Sequence, residues 1–378
     1  MRFGAQLNMA EGLNFSRRLR RTPYTSSAEK AGVTGFSIVN HMLLPKAYRR
    51  SVEEDYWHLR EHVQIWDVAC QRQVQIQGRD AARLVQWMTP RDISRAKVGD
   101  CLYLPITDDT GGLINDPVLL KLAEDRFWLS IADSDLLLFA KGLALGRGFE
   151  VSIDEPDVSP LAVQGPKAEQ LLAELFGAHI RDIGFFKFGW IDVLGTRQLI
   201  ARSGYSRQGG FEIYLQGGHL GAGLWDMIWQ AGLAHDIAPG CPNLIERIEG
   251  GLFSYGNEMT RETTPFEIGL QKFCSLDGSI DYLGRAALQH AAAAGLSRQI
   301  RGVLFDGGPC PTCAAPWPVH VGDKQVGQVT SAIWSPRLKR NVGLSLINRA
   351  FWDAGQQVTV HSTDGAIRSG EVSGLPFS

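Results

Sequence analysis

The stretch Gly204–Leu215, "GYSRQGGFEIYL", runs from a turn-forming segment into an alternating one. Side chains along a strand point to opposite faces in turn, so Phe211, Ile213 and Leu215 share one face while Glu212 and Tyr214 share the other. The first set reads as core. The second poses a question, because an acid beside a phenol needs a partner. On an edge strand the partner is water; the alternative is a ligand.

Outward from this strand the neighbouring elements are legible. "RQVQIQG" (Arg72–Gly78) alternates as a half-buried strand, and "RDAARLVQWM" then has helical spacing through Ala81, Leu84, Val85 and Met88. "VQGPKAEQLLAELFG" reads as a strand end, with Pro166 in a first helical turn, Ala168, Leu171, Leu172 and Leu175 on one face, and Gly177 as the stop. A further helix is predicted from about Leu220 to Ala231. "CPNLIERIEGGLFSYG" offers Asn243 as a cap, a buried stripe of Leu244, Ile248 and Leu252, and Gly256 as terminator. Strands and helices mix without a regular βαβ rhythm, so the class is α+β. From about Arg301 the texture changes to the short strands "IRGVLFDG", "KQVGQVTSAIW", "NVGLSLI" and "QQVTVHS", a separate C-terminal β domain preceded by the helix-like "LGRAALQHAAAAG".

Composition narrows the function classes. In 378 residues, 44% hydrophobic and 21% charged describe a well-cored protein of two or three domains, and a net charge of −2 gives no global field for nucleic acid or an anionic membrane. "SRRLRR" (Ser16–Arg21) is a local basic cluster that reads as a solvated arm. No apolar run spans a membrane, and "MRFGAQLNMAEG" has no apolar signal core, so a cytoplasmic location is the default expectation. Six cysteines in a chain this long do not form the framework of a small secreted domain, and the pair Cys310 and Cys313 sits in a Pro/Gly-rich loop without a second pair to complete a zinc site. His58 and His62 have i, i+4 spacing but no identified third ligand, so no metal is expected. The dinucleotide and P-loop glycine patterns are absent, and "GYSRQ" misses the nucleophile elbow at Gln208.

Several motifs in order resemble the folate-dependent aminomethyltransferase family typified by the glycine cleavage T-protein: "DDTGGLINDPVL" (Asp108–Leu119), "LAVQGP" (Leu161–Pro166), "GYSRQGGFEIYL", "ERIEGGLFSYGNEM" (Glu246–Met259), "DYLGRAAL" (Asp281–Leu288) and "GQVTSAIWSPRLKRNVGLSLI". Within that family "SRRLRRTPYT", "NHMLLP", "EHVQIWDVACQRQV" and "MTPRDIS" look most like the branch of dimethylsulfoniopropionate demethylases, which move one sulfonium methyl to tetrahydrofolate. The resemblance implies a three-domain fold around a central folate site: an N-terminal folate-binding α+β domain over 1–145, a second α+β domain over 146–297 that interleaves with the first, and a β-barrel-like domain over 298–378. It also implies a small-molecule onium substrate, tetrahydrofolate as methyl acceptor, and a homodimer.

Site residues follow position by position from the same resemblance. Glu212 is expected to hold the pterin, because a carboxylate can accept from a ring N–H and an exocyclic amine together. Tyr103 and Arg247 are expected at the folate, an internal salt bridge being the alternative for Arg247. The family's "GGxxDD" places an acid near the folate nitrogens, and here Asn115 takes the first of those two positions. An amide orients a ligand but does not move protons at neutral pH, so Asn115 is read as a catalytic and folate-orienting residue that weighs against aminomethyl transfer, and Asp116 as chiefly structural. Aromatic faces suit a sulfonium, which offers no N–H. The candidates are Tyr24, Phe36, Tyr205 and Tyr214, with Trp190 also reading as a plain core strand and Tyr214 assigned a catalytic part. Arg21 or Ser130 would meet the substrate carboxylate. Competing readings are a methyl- or aminomethyltransferase acting on an amine, betaine or ether, and a non-enzymatic folate binder; relatives of the last kind carry a reactive cysteine that "SRQGGFEIY" lacks.

Overall fold

The computed structural model describes residues 16–377, so the reading of Met1–Gly12 lies outside the described residues. A six-stranded sheet runs in the order Phe188–Val193, Thr196–Ala201, Gly210–Gln216, Val158–Gln164, Val63–Asp67 and Ile237–Gly240. Its pairs are antiparallel except the last, in which Ile237–Gly240 runs parallel to Val63–Asp67. The helices Ala168–Phe176 and Gly221–Gly232 cover one face, where Phe211, Ile213 and Leu215 join Leu171, Leu172, Leu224 and Ile228 in one core. Strand alternation therefore sends Glu212 and Tyr214 to the opposite face, as the sequence predicts. This strand is interior, so Glu212 is buried and the edge-strand alternative falls.

A second, antiparallel sheet orders Ser152–Asp154, Gln73–Gln77, Arg126–Ser130, Val118–Ala123 and Cys101–Tyr103. The helices Ala81–Met88 and Leu136–Arg147 pack on its outer face, with Ala81, Leu84, Val85 and Met88 all buried. Its inner face meets the first sheet: Cys101, Leu120 and Trp128 pack against Phe188, Leu199, Ala201 and Tyr214. The two sheets interleave across the expected 145/146 boundary. Val63–Asp67 belongs to the sheet formed mainly by later residues, whereas Ser152–Asp154 closes the edge of the earlier one. Residues 73–154 are thus inserted between two strands that pair with each other.

The C-terminal strands close into a six-stranded barrel, Arg298–Phe305, Arg340–Asn348, Lys324–Ser335, Trp317–Val321, Gln357–His361 and Ile367–Ser373. Two of these were not foreseen. Trp317–Val321 contains Pro318, and Ile367–Ser373 contains Gly370 among polar residues, so neither has the local signature of a strand; closure of the barrel supplies their pairing.

Two features set up the centre. The helix Leu244–Glu249 is capped by Asn243, whose Oδ1 accepts from the amides of Ile245 at 3.0 Å and Glu246 at 3.3 Å. It ends at Gly250 and not at the expected Gly256, and the chain from Gly250 to Asn257 turns along the wall of a cavity. The turn before the Gly210–Gln216 strand requires glycine. A Cβ at Gly204 would stand 2.1 Å from Gln164 Oε1, and one at Gly210 would stand 2.3 Å from the Val163 carbonyl.

Candidate active site

Both sheets and the barrel border one cavity of about 1590 Å³, larger than the ~300–1,000 Å³ of an ordinary small-molecule site. Tyr103 and Ser130 reach it from the inserted sheet, Asp116 from the connection that enters that sheet at Val118, Ser203 and Tyr205 from the turn before Glu212, and Arg247 and Phe253 from the capped helix and the loop after it. The sequence candidates Tyr103, Ser130, Tyr205 and Arg247 are therefore brought together.

Glu212 stands directly behind Ser203, which lines the cavity where Glu212 itself does not. Its Oε2 accepts from the Ser203 hydroxyl and, at 3.5 Å, from Tyr214 Oη, while Oε1 has no protein partner among the described residues. Burial pushes the carboxyl above its ordinary range, against the two hydrogen bonds that favour its ionised form. A buried carboxylate with an unused acceptor fits a ligand that offers paired N–H donors. Tyr214 is 1% exposed between the two sheets, 6.4 Å from Trp128 by ring centroids. It backs Glu212 and does not line the cavity, so the structure gives it a positioning part, not a catalytic one.

The pair Asn115 and Asp116 reverses the expectation. Asn115 is fully buried, donates Nδ2 to the Ala132 carbonyl at 3.1 Å and to Ser134 Oγ at 2.7 Å, and accepts from the Ala132 amide at 3.1 Å. Its amide is consumed in clasping that loop and has nothing left for a ligand. Asp116 lines the cavity. Its Oδ2 accepts from Tyr103 Oη at 2.9 Å, and its Oδ1 is buried with no partner. Burial pushes this carboxyl up to about 7, with Glu258 adding to the rise and the Tyr103 hydrogen bond opposing it. A two-residue period in "LIND" already separates 115 from 116; only the pairing of Leu113–Asn115 with Ile106–Thr107 says which of them turns inward.

The aromatic candidates divide. Tyr205 lines the cavity and donates its hydroxyl to the carbonyls of Phe253 and, at 3.2 Å, Leu252. Tyr24 is fully buried in the helix-covered core and donates to the Ser159 carbonyl at 2.8 Å. Phe36 packs against Ala28, Val33 and Tyr48, and Trp190 packs edge-on with Phe188 at 6.4 Å, so neither contributes to the cavity wall. Arg21 is also elsewhere, exposed and bonded to Glu29 at 2.6 Å beside a separate groove.

Arg247 satisfies both of its readings. It lines the cavity, and it donates Nη1 to Glu258 at 2.8 Å and Nη2 to Ser331 at 2.6 Å. Burial opposes its charge, but Glu258 and Tyr205 outweigh it and hold the guanidinium above its ordinary pKa. The partner acid Glu258 is fully buried and also accepts from Thr330 at 3.2 Å, which ties the barrel to this wall. Sequence reasoning missed Asp116 and Ser203 because neither differs in kind from an ordinary turn residue. It also missed Phe253 and Phe273, whose loops have no periodicity to read. His58 hydrogen-bonds the Asp236 carbonyl at 2.9 Å, and among the described residues no cluster of acids, histidines or cysteines suits a metal ion.

Comparison with known proteins finds relatives over most of the chain. A model of the GCVT N-terminal domain matches residues 25–278, and one of the glycine cleavage T-protein C-terminal barrel domain matches 298–378. The chain is 51% identical over 350 residues to dimethylsulfoniopropionate demethylase DmdA of Ruegeria pomeroyi, covering 93% of this chain and 95% of that one. It is 31% identical over 332 residues to an aminomethyltransferase of Listeria monocytogenes, covering 86% and 89%. Aminomethyltransferase T of the Bartonella henselae glycine cleavage system has the same fold, with a TM-score of 0.85 at 24% identity over 95% of this chain and 98% of that one.

Proposed function

This chain belongs to the glycine cleavage T-protein family, and from that premise we propose that it is a tetrahydrofolate-dependent demethylase of dimethylsulfoniopropionate, yielding methylthiopropionate and 5-methyltetrahydrofolate. The observation that carries the reading is the cavity bordered by both sheets and the barrel, with Asp116 on its wall keeping one oxygen unpartnered and Glu212 buried behind Ser203 with Oε1 unengaged, in a chain 51% identical to a demethylase of that substrate. The Asn115 substitution does not bear on the choice of donor, because its side chain faces away from the cavity. Identity favours the demethylase over the Listeria monocytogenes aminomethyltransferase by 51% to 31%.

Bound here, tetrahydrofolate supplies the nucleophilic N5 that takes the methyl in an in-line displacement while the sulfur leaves as a neutral thioether. The protein's part is orientation and one proton. Glu212 holds the pterin edge through its free Oε1, kept in place by Ser203 and Tyr214. Transfer to an N–H nitrogen releases a proton, and Asp116 Oδ1 accepts it: a carboxyl held at about 7 is ionised often enough to serve and basic enough to take it. Tyr205 offers its ring to the onium charge, and its hydroxyl is anchored by the loop carbonyls of Leu252 and Phe253. Ser130 is the hydroxyl available to the donor's carboxylate. Positioning of this kind contributes up to about 7–11 kcal/mol in well-oriented systems, so packing around the cavity carries most of the rate. Among the described residues no helix is long and apolar enough to cross a membrane; a cytoplasmic setting, absence of nucleic-acid partners and a homodimer complete the reading.

Incubation with tetrahydrofolate and a panel of methyl donors tests it. Methylthiopropionate and methylated folate from dimethylsulfoniopropionate are expected. Transfer only from a betaine, amine or ether would replace the sulfonium with that donor, and folate binding with no turnover would replace the enzyme with a carrier.

A further inference from the structure

One cation on the cavity wall is held in a costly backbone conformation and has no acid to answer it. Arg202 is matched by Glu169 at 2.6 Å and Arg247 by Glu258 at 2.8 Å, whereas Arg207 has no carboxylate at salt-bridge distance among the described residues. Its φ is 57°, in the left-handed region that residues with a side chain rarely adopt and that functional segments are prone to use. Its stem runs so close to Gly250 that a Cβ there would stand 2.5 Å from Arg207 Cδ, although the φ of −73° at Gly250 is open to any residue. The arginine occupies the space that a side chain at 250 would take.

The turn that carries Arg207 is pinned on both sides. Ser206 Oγ donates to Gln164 Oε1 at 2.7 Å and accepts from the Gln208 amide at 3.1 Å, and Gln208 Nε2 donates to Glu246 Oε1 at 2.7 Å. Arg207 itself donates Nη1 to the Gly250 carbonyl at 2.6 Å, its one protein hydrogen bond among the described residues. That leaves Nε and Nη2, two donors of the planar fork that grips a carboxylate. Two residues earlier on the same turn, Tyr205 is anchored by the carbonyls of Leu252 and Phe253. Ring and guanidinium therefore hang from one loop, and the Cα atoms of their anchors Gly250 and Leu252 are within about 7 Å of each other.

Resting on the demethylase reading, we propose that Arg207 receives the carboxylate of the methyl donor, so that one turn reads both charges of a zwitterion: the onium on the Tyr205 ring and the acid on the Arg207 fork. Dimethylsulfoniopropionate carries two methylenes between its sulfur and its carboxylate, a length that suits neighbouring positions along one loop. Ser130 reaches the cavity from the inserted sheet and already accepts from Gln73 Nε2 at 3.0 Å. It can add a hydrogen bond but supplies no charge to select an acid. Arg207 is then the residue that sets specificity for onium compounds bearing a carboxylate, with a preference of about tenfold for a charge-assisted pair at an exposed guanidinium.

The test measures the KM for dimethylsulfoniopropionate and the Ki of dimethylpropylsulfonium, in which a methyl replaces the carboxylate. Both are read on the wild-type protein, Arg207→Gln, Arg207→Lys and Ser130→Ala, with thermal melting as a check on folding. In the wild type the propylsulfonium Ki should exceed the donor KM by about tenfold. Arg207→Gln should raise the donor KM about tenfold and leave the propylsulfonium Ki within about twofold, while the tetrahydrofolate KM stays where it was. Arg207→Lys, which keeps the charge and loses the fork, should fall between. A donor KM unchanged in Arg207→Gln beside a lowered melting temperature would make Arg207 only a cap on the helix Leu244–Glu249 and overturn the proposal. A wild type that binds the propylsulfonium as tightly as the donor, or a larger loss in Ser130→Ala than in Arg207→Gln, would overturn it as well. A wild type that demethylates no dimethylsulfoniopropionate would instead overturn the demethylase reading, and this inference with it.

Discussion

The central cavity and the outer groove at Arg20, Arg21 and Arg72 are both rich in arginine, but they differ in which charges are left without a counter-ion. In the groove, of about 440 Å³, Arg20 and Arg72 converge on Glu155 and Arg21 is held by Glu29. In the cavity wall Asp116 Oδ1 is buried without a partner, Glu212 Oε1 is unengaged behind Ser203, and Lys272 and Arg301 have no carboxylate at salt-bridge distance among the described residues. Charge density alone does not mark a site. A desolvated charge with neither a counter-ion nor a full set of hydrogen bonds does, since leaving such a group unmet costs about 1–3 kcal/mol unless a ligand or water meets it.

The strongest way to break this contrast is Asp116→Asn. It removes the proton acceptor but keeps the shape and the acceptor facing Tyr103, and kcat is expected to fall about 100-fold or more. The wild-type rate should rise with pH through about 7, because the acid is protonated and idle below that value and ionised above it. The variant should lose this limb. A pH profile that keeps the limb in the variant would assign the titration to another group; Asp67, also pushed up to about 7 by burial, is the nearest in pKa but lies outside the cavity and bonds Thr22.

Glu212→Ala comes next. Loss of a charge-assisted contact to paired N–H groups is worth about 3 kcal/mol, so the Kd for tetrahydrofolate should rise roughly 100-fold, read by calorimetry, well beyond any effect on folding. Unchanged folate affinity would remove Glu212 from the site. The smallest effects sharpen the comparison directly. Tyr205→Leu takes a ring from the cavity and should raise the donor KM about tenfold, whereas Arg21→Ala acts on the groove and should change it less than about twofold. A large effect at Arg21 would mean that the groove, and not the cavity, receives the donor's carboxylate.

Much of this was legible before any coordinates. The burial of Phe211, Ile213 and Leu215 opposite Glu212 and Tyr214 follows from a period of two, and the helix Ala81–Met88 follows from its spacing of apolar residues. Ordered motifs carried the family, and through it the barrel. The candidates that failed did so together: Tyr24, Phe36 and Trp190 are aromatic residues that turn into packed clusters, and Asn115 is a polar residue whose bonds are all spent on Ala132 and Ser134.

What the sequence determined by itself is therefore local: which residues form strands and helices, which of them share a face, and which family pattern they follow. The tertiary structure decided which face looks onto a partner sheet and which onto the cavity, that Asp116 and not Asn115 turns inward, and that residues 73–154 are inserted between the paired strands Val63–Asp67 and Val158–Gln164. The reason is physical. Alternation is set by the backbone of one strand, but burial, an unpaired oxygen and a raised pKa depend on groups brought close by pairings between residues far apart in the chain.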